Sequence, residues 1–397
     1  MPANLPAEAK AKWARYLDAK TPEEKLRALQ DFYSSIPKHK GTENLRAWVR
    51  RKIAELKEEI AEQKARRRGG GASFFVQKEG AAQVVMLGET LSGKSTLLRA
   101  LTNAEPEIKG VPFTTLKPVP GMVRYEDIQF QLVEVPAVVE GMHRGAVWWG
   151  SRVLGMARNA DLLMIVIDLS NNPVKQLKTV IGELKEAGIM LRRPKGRVVI
   201  ERSKAVHGIR VITLGRLLDA TAADVIRLLN SYRIYHAIVK IYGDATLDDV
   251  EKAIFERTSF KRALFVLNKV DLVSVSRAEA LARKITEVLP DSDAIVVSAL
   301  KGYRVDEIPG RIFKLSGVIR VYTKEPNQQE PSDIPLILKK GATVADAIMK
   351  IREEFLQYFK YARIWGPSAK FPGERVGLDH VLEDGDIIEI RTTIKGI

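Results

Sequence analysis

The chain contains no cysteine, and its five histidines show no metal-ligand spacing. Disulfides, thiolate metal sites and cysteine nucleophiles are therefore excluded, and any metal must be held by oxygen ligands. No uninterrupted apolar run reaches about 18 residues, and the amino terminus lacks the basic-then-apolar pattern of a secretory signal. The expectation is a cytoplasmic protein with no membrane contact. Acidic residues are scarce against basic ones, 49 against 64, a formal net charge of +15. The excess is localised. Residues 1–70 hold 17 Lys and Arg against 10 Asp and Glu, and residues 190–216 hold 8 against the single Glu201, a net of +7 in each. Such clustering suits contact with a polyanion such as RNA; two solvated basic faces are the alternative.

At 397 residues the chain exceeds one ordinary domain of about 100–200 residues. Residues 1–70 read as a basic helical arm: Pro6 to Leu17, Thr21 to Ser34 with a Thr21/Glu24 capping box, and Thr42 to about Arg68. The Arg66–Arg68 run followed by Gly69–Gly71 marks its end. From about residue 80 to 316, short apolar strands alternate with helical stretches, at Val84–Leu87, Phe130–Val135, Leu162–Ile167, Leu264–Leu267 and Ala294–Val297. That rhythm predicts an α/β domain with a mostly parallel sheet covered on both faces. Between Asp168 and Ala263 lies more chain than one crossover helix needs. It is read as a helix from Pro173 to Gly188 and then an inserted basic α+β subdomain, about 190–258. The subdomain contains a hairpin-like stretch (Arg197–Ile200, Ile209–Leu214) and helices from Thr221 and Thr246. Residues 317–397 read as a small α+β module with strands at Ile319–Tyr322 and Ile387–Arg391 and a helix from Thr343 to Phe359.

Two motifs carry chemistry. Gly88-Glu89-Thr90-Leu91-Ser92-Gly93-Lys94-Ser95, between a strand and the helix opening at Thr96, is a phosphate-binding loop in the required context. Its backbone N–H groups wrap phosphates, Lys94 reaches the β- and γ-phosphates, and the Ser95 hydroxyl ligates Mg²⁺. Asn268-Lys269-Val270-Asp271 follows a later strand. A carboxylate at Asp271 accepts the ring N–H and exocyclic amine of guanine, a pair adenine does not present, so GTP and GDP are the expected ligands. Ser298-Ala299-Leu300, after the next strand, is expected to offer a backbone N–H to the guanine carbonyl. Each motif stands at a strand's carboxyl end, where open α/β sheets bind ligands. Thr115, with Thr114 as the alternative, is placed to complete the Mg²⁺ shell, and Glu134 to hold Mg²⁺ through a bound water. The N–H of Ala137 is expected at the γ-phosphate. His143 reads as a surface or structural residue, and Trp148 and Trp149 as packing residues.

The runs GETLSGKSTLLRALTN, GVPFTTLKPVPG and VEVPAVVEG, with NKVD and SAL, resemble the developmentally regulated GTP-binding proteins, a branch of the Obg-related P-loop GTPases. The likeness spans nearly the whole chain and points to an archaeal member. It implies that the tail is a ubiquitin-like TGS domain, with Lys340–Ala347 turning into its helix and Leu382–Ile390 closing it. It also implies slow GTP hydrolysis by a switch acting in translation, with ribosome or RNA contact, an activating or stabilising protein partner, and no DNA specificity. A GTP-dependent RNA-binding scaffold with negligible hydrolysis is the competing reading. The chain departs from the family where relatives carry Asn or Ser at Leu91, putting potassium stimulation in doubt, and Asp-x-Pro-Gly at Glu134–Ala137. Glutamate is one methylene longer than aspartate, and the Ala137 Cβ penalises the positive-φ conformations open to glycine. Weakened GTP preference and slow turnover are therefore expected.

Overall fold

Three central strands carry almost no polar residue, because both of their faces are covered: β1 (Gln83–Leu87), β4 (Leu162–Asp168) and β10 (Ala263–Asn268) are buried throughout. The computed structural model describes the chain except residues 1–4, 20, 39–41, 44, 47, 51, 55, 58–59, 61–73, 75, 105–115, 193–196, 203–207, 256–258, 326–327, 329 and 394–397. Described residues fall into two compact units. One comprises Met1–Phe75, Val139–Arg158 and Ile181–Phe260; the other comprises Val76–Val138, Asn159–Val180 and Lys261–Ile397.

In the second unit, β2 (Val119–Tyr125), β3 (Ile128–Glu134) and β11 (Asp293–Val296) complete a six-stranded sheet ordered β11-β10-β4-β1-β3-β2. All neighbours are parallel except β2 and β3. The sequence reading missed β2, whose alternating burial and Pro120 suit an edge strand rather than an apolar run. Register sets Asn268 beside Asp168 and Leu87 beside Ile165, so the carboxyl ends of the central strands come level.

The tail forms a second sheet ordered β13-β12-β16-β14-β15, from β12 (Val318–Thr323), β13 (Leu336–Lys339), β14 (Phe359–Trp365), β15 (Glu374–Val376) and β16 (Asp386–Thr392). Its helix is shorter than expected, Val344–Ile351. The chain turns extended at Arg352 (φ −167°), and Phe359-Lys-Tyr-Ala-Arg-Ile-Trp365 then buries Ala362 and Ile364 with a period of two, the mark of a strand.

The first unit joins two segments that read as separate in sequence. Helices Ala7–Asp18 and Pro22–Ser35, the latter opened by the Thr21/Glu24 capping box, bury Trp13, Leu29 and Phe32 in one core with Val225, Leu229, Tyr232, Val239 and Ile241 of the insertion. Of the helix expected from Thr42 to about Arg68, the described residues up to Ile60 are helical and place Val49 and Leu56 in the same core, while residues 61–68, Arg66–Arg68 among them, lie outside the described residues. Two-residue strands β5 (Ile189–Met190) and β9 (Ser259–Phe260) pair where the insertion leaves and rejoins the domain. Between them β6 (Arg197–Arg202) and β7 (Ile209–Leu217) form as strands but not as the expected hairpin. Instead β8 (Ala237–Ala245) lies between them, antiparallel to β6 and parallel to β7. The crossover helix Ala222–Ser231 makes the parallel pairing possible, and Ala237, Val239 and Ile241 give β8 the central, buried place.

Within the second unit the tail is fastened to the β2–β3 turn by the Arg320 guanidinium and the Tyr322 hydroxyl, which donates to Asp127. Arg320 donates to Asp384 (2.8 Å) and Asp127 (3.0 Å), also meets Glu126, and lies over the Phe313 ring (4.9 Å), which stacks on Tyr125 (5.2 Å). Burial pushes the Asp127 carboxyl up, but hydrogen bonds from the Tyr322 hydroxyl and Arg320 outweigh it and hold it below its ordinary value. A lowered carboxylate stabilises the fold at neutral pH and loses that contribution as pH falls through its folded value, so the clamp should hold at pH 7 and release below about pH 4. Arg320→Ala should cost about 1–2 kcal/mol, less than a fully buried pair because the network is partly exposed. Hydrogen exchange on β12 and β16 is the measurement; unchanged protection would mean that apolar packing of Val318 and Ile337 against the core of the main sheet carries the contact.

Candidate nucleotide site

The loop between β1 and the helix Lys94–Leu101 turns through Gly93, whose φ of +91° caps the helix in the left-handed region. Two glycines are required by close approach. A Cβ on Gly93 would stand 2.2 Å from Asn268 Nδ2, and one on Gly88 2.4 Å from the Val166 carbonyl. Ser92 is buried and its hydroxyl donates to the Glu89 carbonyl (2.9 Å). Lys94 is also buried, with Nζ donating to the carbonyls of Gly88 (3.1 Å) and Glu89 (2.9 Å). Burial lowers its pKa to about 8, against the opposing charges of Glu134 and Glu89. An anionic phosphate bound beside this ammonium would supply the countercharge that desolvation makes valuable. Thr90 and Thr96 flank the turn, half-buried.

Ser95 Oγ donates to Glu134 Oε1 at 2.6 Å, and Glu134 is 1% exposed at the end of β3. A hydroxyl has one proton and two lone pairs. With the proton committed to Glu134, the Ser95 lone pairs are free to serve a cation, so the pair fits Mg²⁺ with Ser95 as ligand and Glu134 behind it. Among the described residues no group of three or more His, Asp or Glu forms a metal site. A hard cation here would take its remaining oxygens from phosphate and water. Thr115 and Thr114 lie outside the described residues. Beyond β3 the chain is held at the loop by the Val138 N–H, which donates to the Gly88 carbonyl (3.0 Å). Ala137 is buried and is not among the residues with positive φ, so the expected backbone penalty from its Cβ does not arise in this conformation.

Asn268 uses its side chain within the protein. Nδ2 donates to the Ser92 carbonyl (3.0 Å) and Oδ1 accepts the Ala299 N–H (2.9 Å), fastening the phosphate loop to the Ser298–Leu300 loop. Of the three backbone N–H groups from which one was expected to serve guanine, that of Ala299 is thus committed and that of Ser298 pairs with the Tyr303 carbonyl. Leu300, 76% exposed, carries the N–H of this trio without an acceptor among the described residues. Lys269 sits at φ +66° with Nζ on Asp168 Oδ2 (2.5 Å). Asp271, in the turn Val270–Leu272, presents an exposed side chain. Asp168, which the sequence reading passed over, is held by the Ser170 N–H (2.8 Å) and hydroxyl (2.6 Å). The available signal was a carboxylate ending a central strand.

Residues 83–200 match the family model for a 50S ribosome-binding GTPase, 206–316 that for the C-terminal region of the MMR_HSR1 domain, and 319–392 that for the TGS domain. An uncharacterized GTP-binding protein of Methanocaldococcus jannaschii is 35% identical over 93% of this chain and 92% of its own length. The developmentally-regulated GTP-binding protein 2 homolog of Dictyostelium discoideum is 30% identical over 92% of this chain and 98% of its own. The chain belongs to the developmentally regulated GTP-binding protein family. It is a GTP-binding P-loop protein with a carboxy-terminal TGS domain.

Leu91, in the phosphate loop, has φ +60° and is 48% exposed. A γ-branched side chain in the left-handed region costs about 1 kcal/mol that Asn largely avoids. Leu91→Asn should therefore raise thermal stability by up to about 1 kcal/mol; a lower melting temperature would show that the leucine makes a contact outweighing its backbone strain. At the base, Asp271→Asn replaces two acceptors by one acceptor and one donor, which opposes the guanine amine and suits xanthine. Titration should show GTP affinity falling about tenfold or more with XTP binding gained; equal GTP affinity in both forms would remove Asp271 from the base contact.

Proposed function

We propose that this protein is a slow, Mg²⁺-dependent GTP hydrolase that works as a switch on an RNA partner, the ribosome foremost. The observation that carries the reading is the pair of bonds joining β3's end to the phosphate loop, Ser95 to Glu134 and Val138 to Gly88. Both lie on the groups that must sense a γ-phosphate, so nucleotide and β3 end share the same backbone and hydroxyl positions. Bound at Ser95, Mg²⁺ would neutralise charge on the β- and γ-phosphates. Lys94 holds the phosphates, the Ala137 N–H meets the γ-phosphate, and Glu134 orients the Ser95 hydroxyl. No glutamine stands after Ala137 to orient water, where the chain has the buried Val138. Turnover without a partner is accordingly slow.

RNA contact is supported by charge: residues 1–70 and 190–216, which hold nearly all the excess positive charge, belong to one unit with one core. The description of the matching GTPase family as ribosome-binding points the same way. Single-turnover assays with GTP and ATP, with Mg²⁺ or EDTA, and with or without ribosomes, test the whole reading. The expected result is slow cleavage of GTP only, abolished by EDTA and by Ser95→Ala, accelerated by ribosomes, and less so as salt rises. GTP binding with no cleavage under any condition would leave the scaffold reading, and equal use of ATP would overturn guanine selectivity.

A further inference from the structure

Beside the guanine motif two strand ends meet, and one carboxylate ties them. β4 ends at Asp168 and β10 at Asn268, the two residues pair in register, and the Leu169 N–H crosses to the Asn268 carbonyl at 3.0 Å. Asp168 is 7% exposed, so its carboxylate must find donors within the protein or lose stability. Oδ1 takes the Ser170 N–H (2.8 Å) and hydroxyl (2.6 Å), and Oδ2 takes the Lys269 ammonium (2.5 Å). The backbone of Asp168 is fixed as firmly. Gln176, also buried, accepts its N–H through Oε1 (3.0 Å) and donates from Nε2 to its carbonyl (2.9 Å). Asp168 is thus a fixed post, and Lys269 is what it holds.

Lys269 turns the chain out of β10 at φ +66°, a conformation that costs a residue with a side chain energy. Its carbonyl accepts the Leu272 N–H at 3.1 Å, which closes a short turn around Asp271, and the Val270 N–H is held by the Val297 carbonyl at 3.2 Å. All of these residues belong to the same compact unit. Asp271 lies inside that closed turn with an exposed side chain, so the direction of its carboxylate follows the conformation of Lys269. Relaxation of Lys269 toward negative φ would re-aim its side chain and break the ion pair, so the pair opposes that relaxation.

We propose that Asp168 is a positioning residue for the guanine base: by holding the Lys269 ammonium it keeps Lys269 left-handed and the Asp271 carboxylate aimed at the ring N–H and the exocyclic amine. This rests on the reading of Asp271 as the base contact and is independent of hydrolysis. The phosphate contacts of Lys94 and the Gly88–Ser95 loop stand on another element, and the Asn268 bonds to Ser92 and Ala299 do not pass through Asp168. Loss of Asp168 therefore acts on discrimination between bases.

The test titrates the full chain with GDP and with inosine diphosphate, whose base keeps the ring N–H but lacks the exocyclic amine. Wild type should prefer GDP by about tenfold or more. Asp168→Ala should weaken GDP binding about fivefold and inosine diphosphate binding by less than about twofold, so that the preference shrinks. Asp168→Asn, which keeps the side-chain volume and one acceptor oxygen, should lie between wild type and Asp168→Ala in the same comparison. In an Asp271→Ala background, Asp168→Ala should change GDP affinity by less than about twofold, because a residue acting through Asp271 has nothing left to position. Equal weakening of both nucleotides, or full additivity of the two substitutions, would show a general structural contribution and overturn the positioning role. A wild-type preference that survives Asp168→Ala would overturn this role alone, whereas a wild-type chain that binds both nucleotides equally would overturn Asp271 as the base contact and this role with it.

Discussion

The nucleotide site is organised around one buried carboxamide. Asn268 satisfies the Ser92 carbonyl with Nδ2 and the Ala299 N–H with Oδ1, so the phosphate loop and the Ser298–Leu300 loop are set by the same side chain. Each of those backbone groups left unpaired in the interior would cost about 1–3 kcal/mol. The amide also dictates the neighbouring sequence, since only glycine at position 93 leaves room for Nδ2. Asparagine is the one residue of suitable length that offers a donor and an acceptor in a fixed plane, and aspartate would set a carboxylate oxygen against the Ser92 carbonyl.

That tie works because the strands beneath it are in register. Asn268 pairs with Asp168 across β10 and β4, and Lys269, turned into the left-handed region, returns its ammonium to Asp168. The Lys94 ammonium is meanwhile desolvated against carbonyl oxygens, and Glu134 beside it orients Ser95. A buried, partly compensated cation next to an oriented hydroxyl is an environment that favours a polyphosphate with a hard metal ion.

The remaining chain makes two attachments of contrasting chemistry. The amino-terminal helices join the insertion through apolar burial around Trp13, Phe32 and Tyr232, which is non-directional and tolerant of substitution. The TGS domain is joined to the β2–β3 turn through Arg320, a planar donor shared among Asp127, Glu126 and Asp384, which is directional and sensitive to pH and salt.

Sequence alone determined the phosphate loop at Gly88–Ser95, the guanine motif at Asn268–Asp271, the apolar central strands and the Thr21 capping box. In each of these the residues that matter are close in sequence and the local pattern is itself the physical cause. Pairings across long stretches of chain were decided only by the tertiary structure: Asn268 with Ser92, Glu183 with Gly141 and His143, and Arg320 with Asp127. The same holds for the placing of β8 between β6 and β7 and for the strand Phe359–Trp365, which starts where the expected helix was to end. Ala137 shows the limit most plainly. Its identity was readable, but whether its Cβ costs anything depends on φ, and φ at that position is set by what the folded chain places on either side of it.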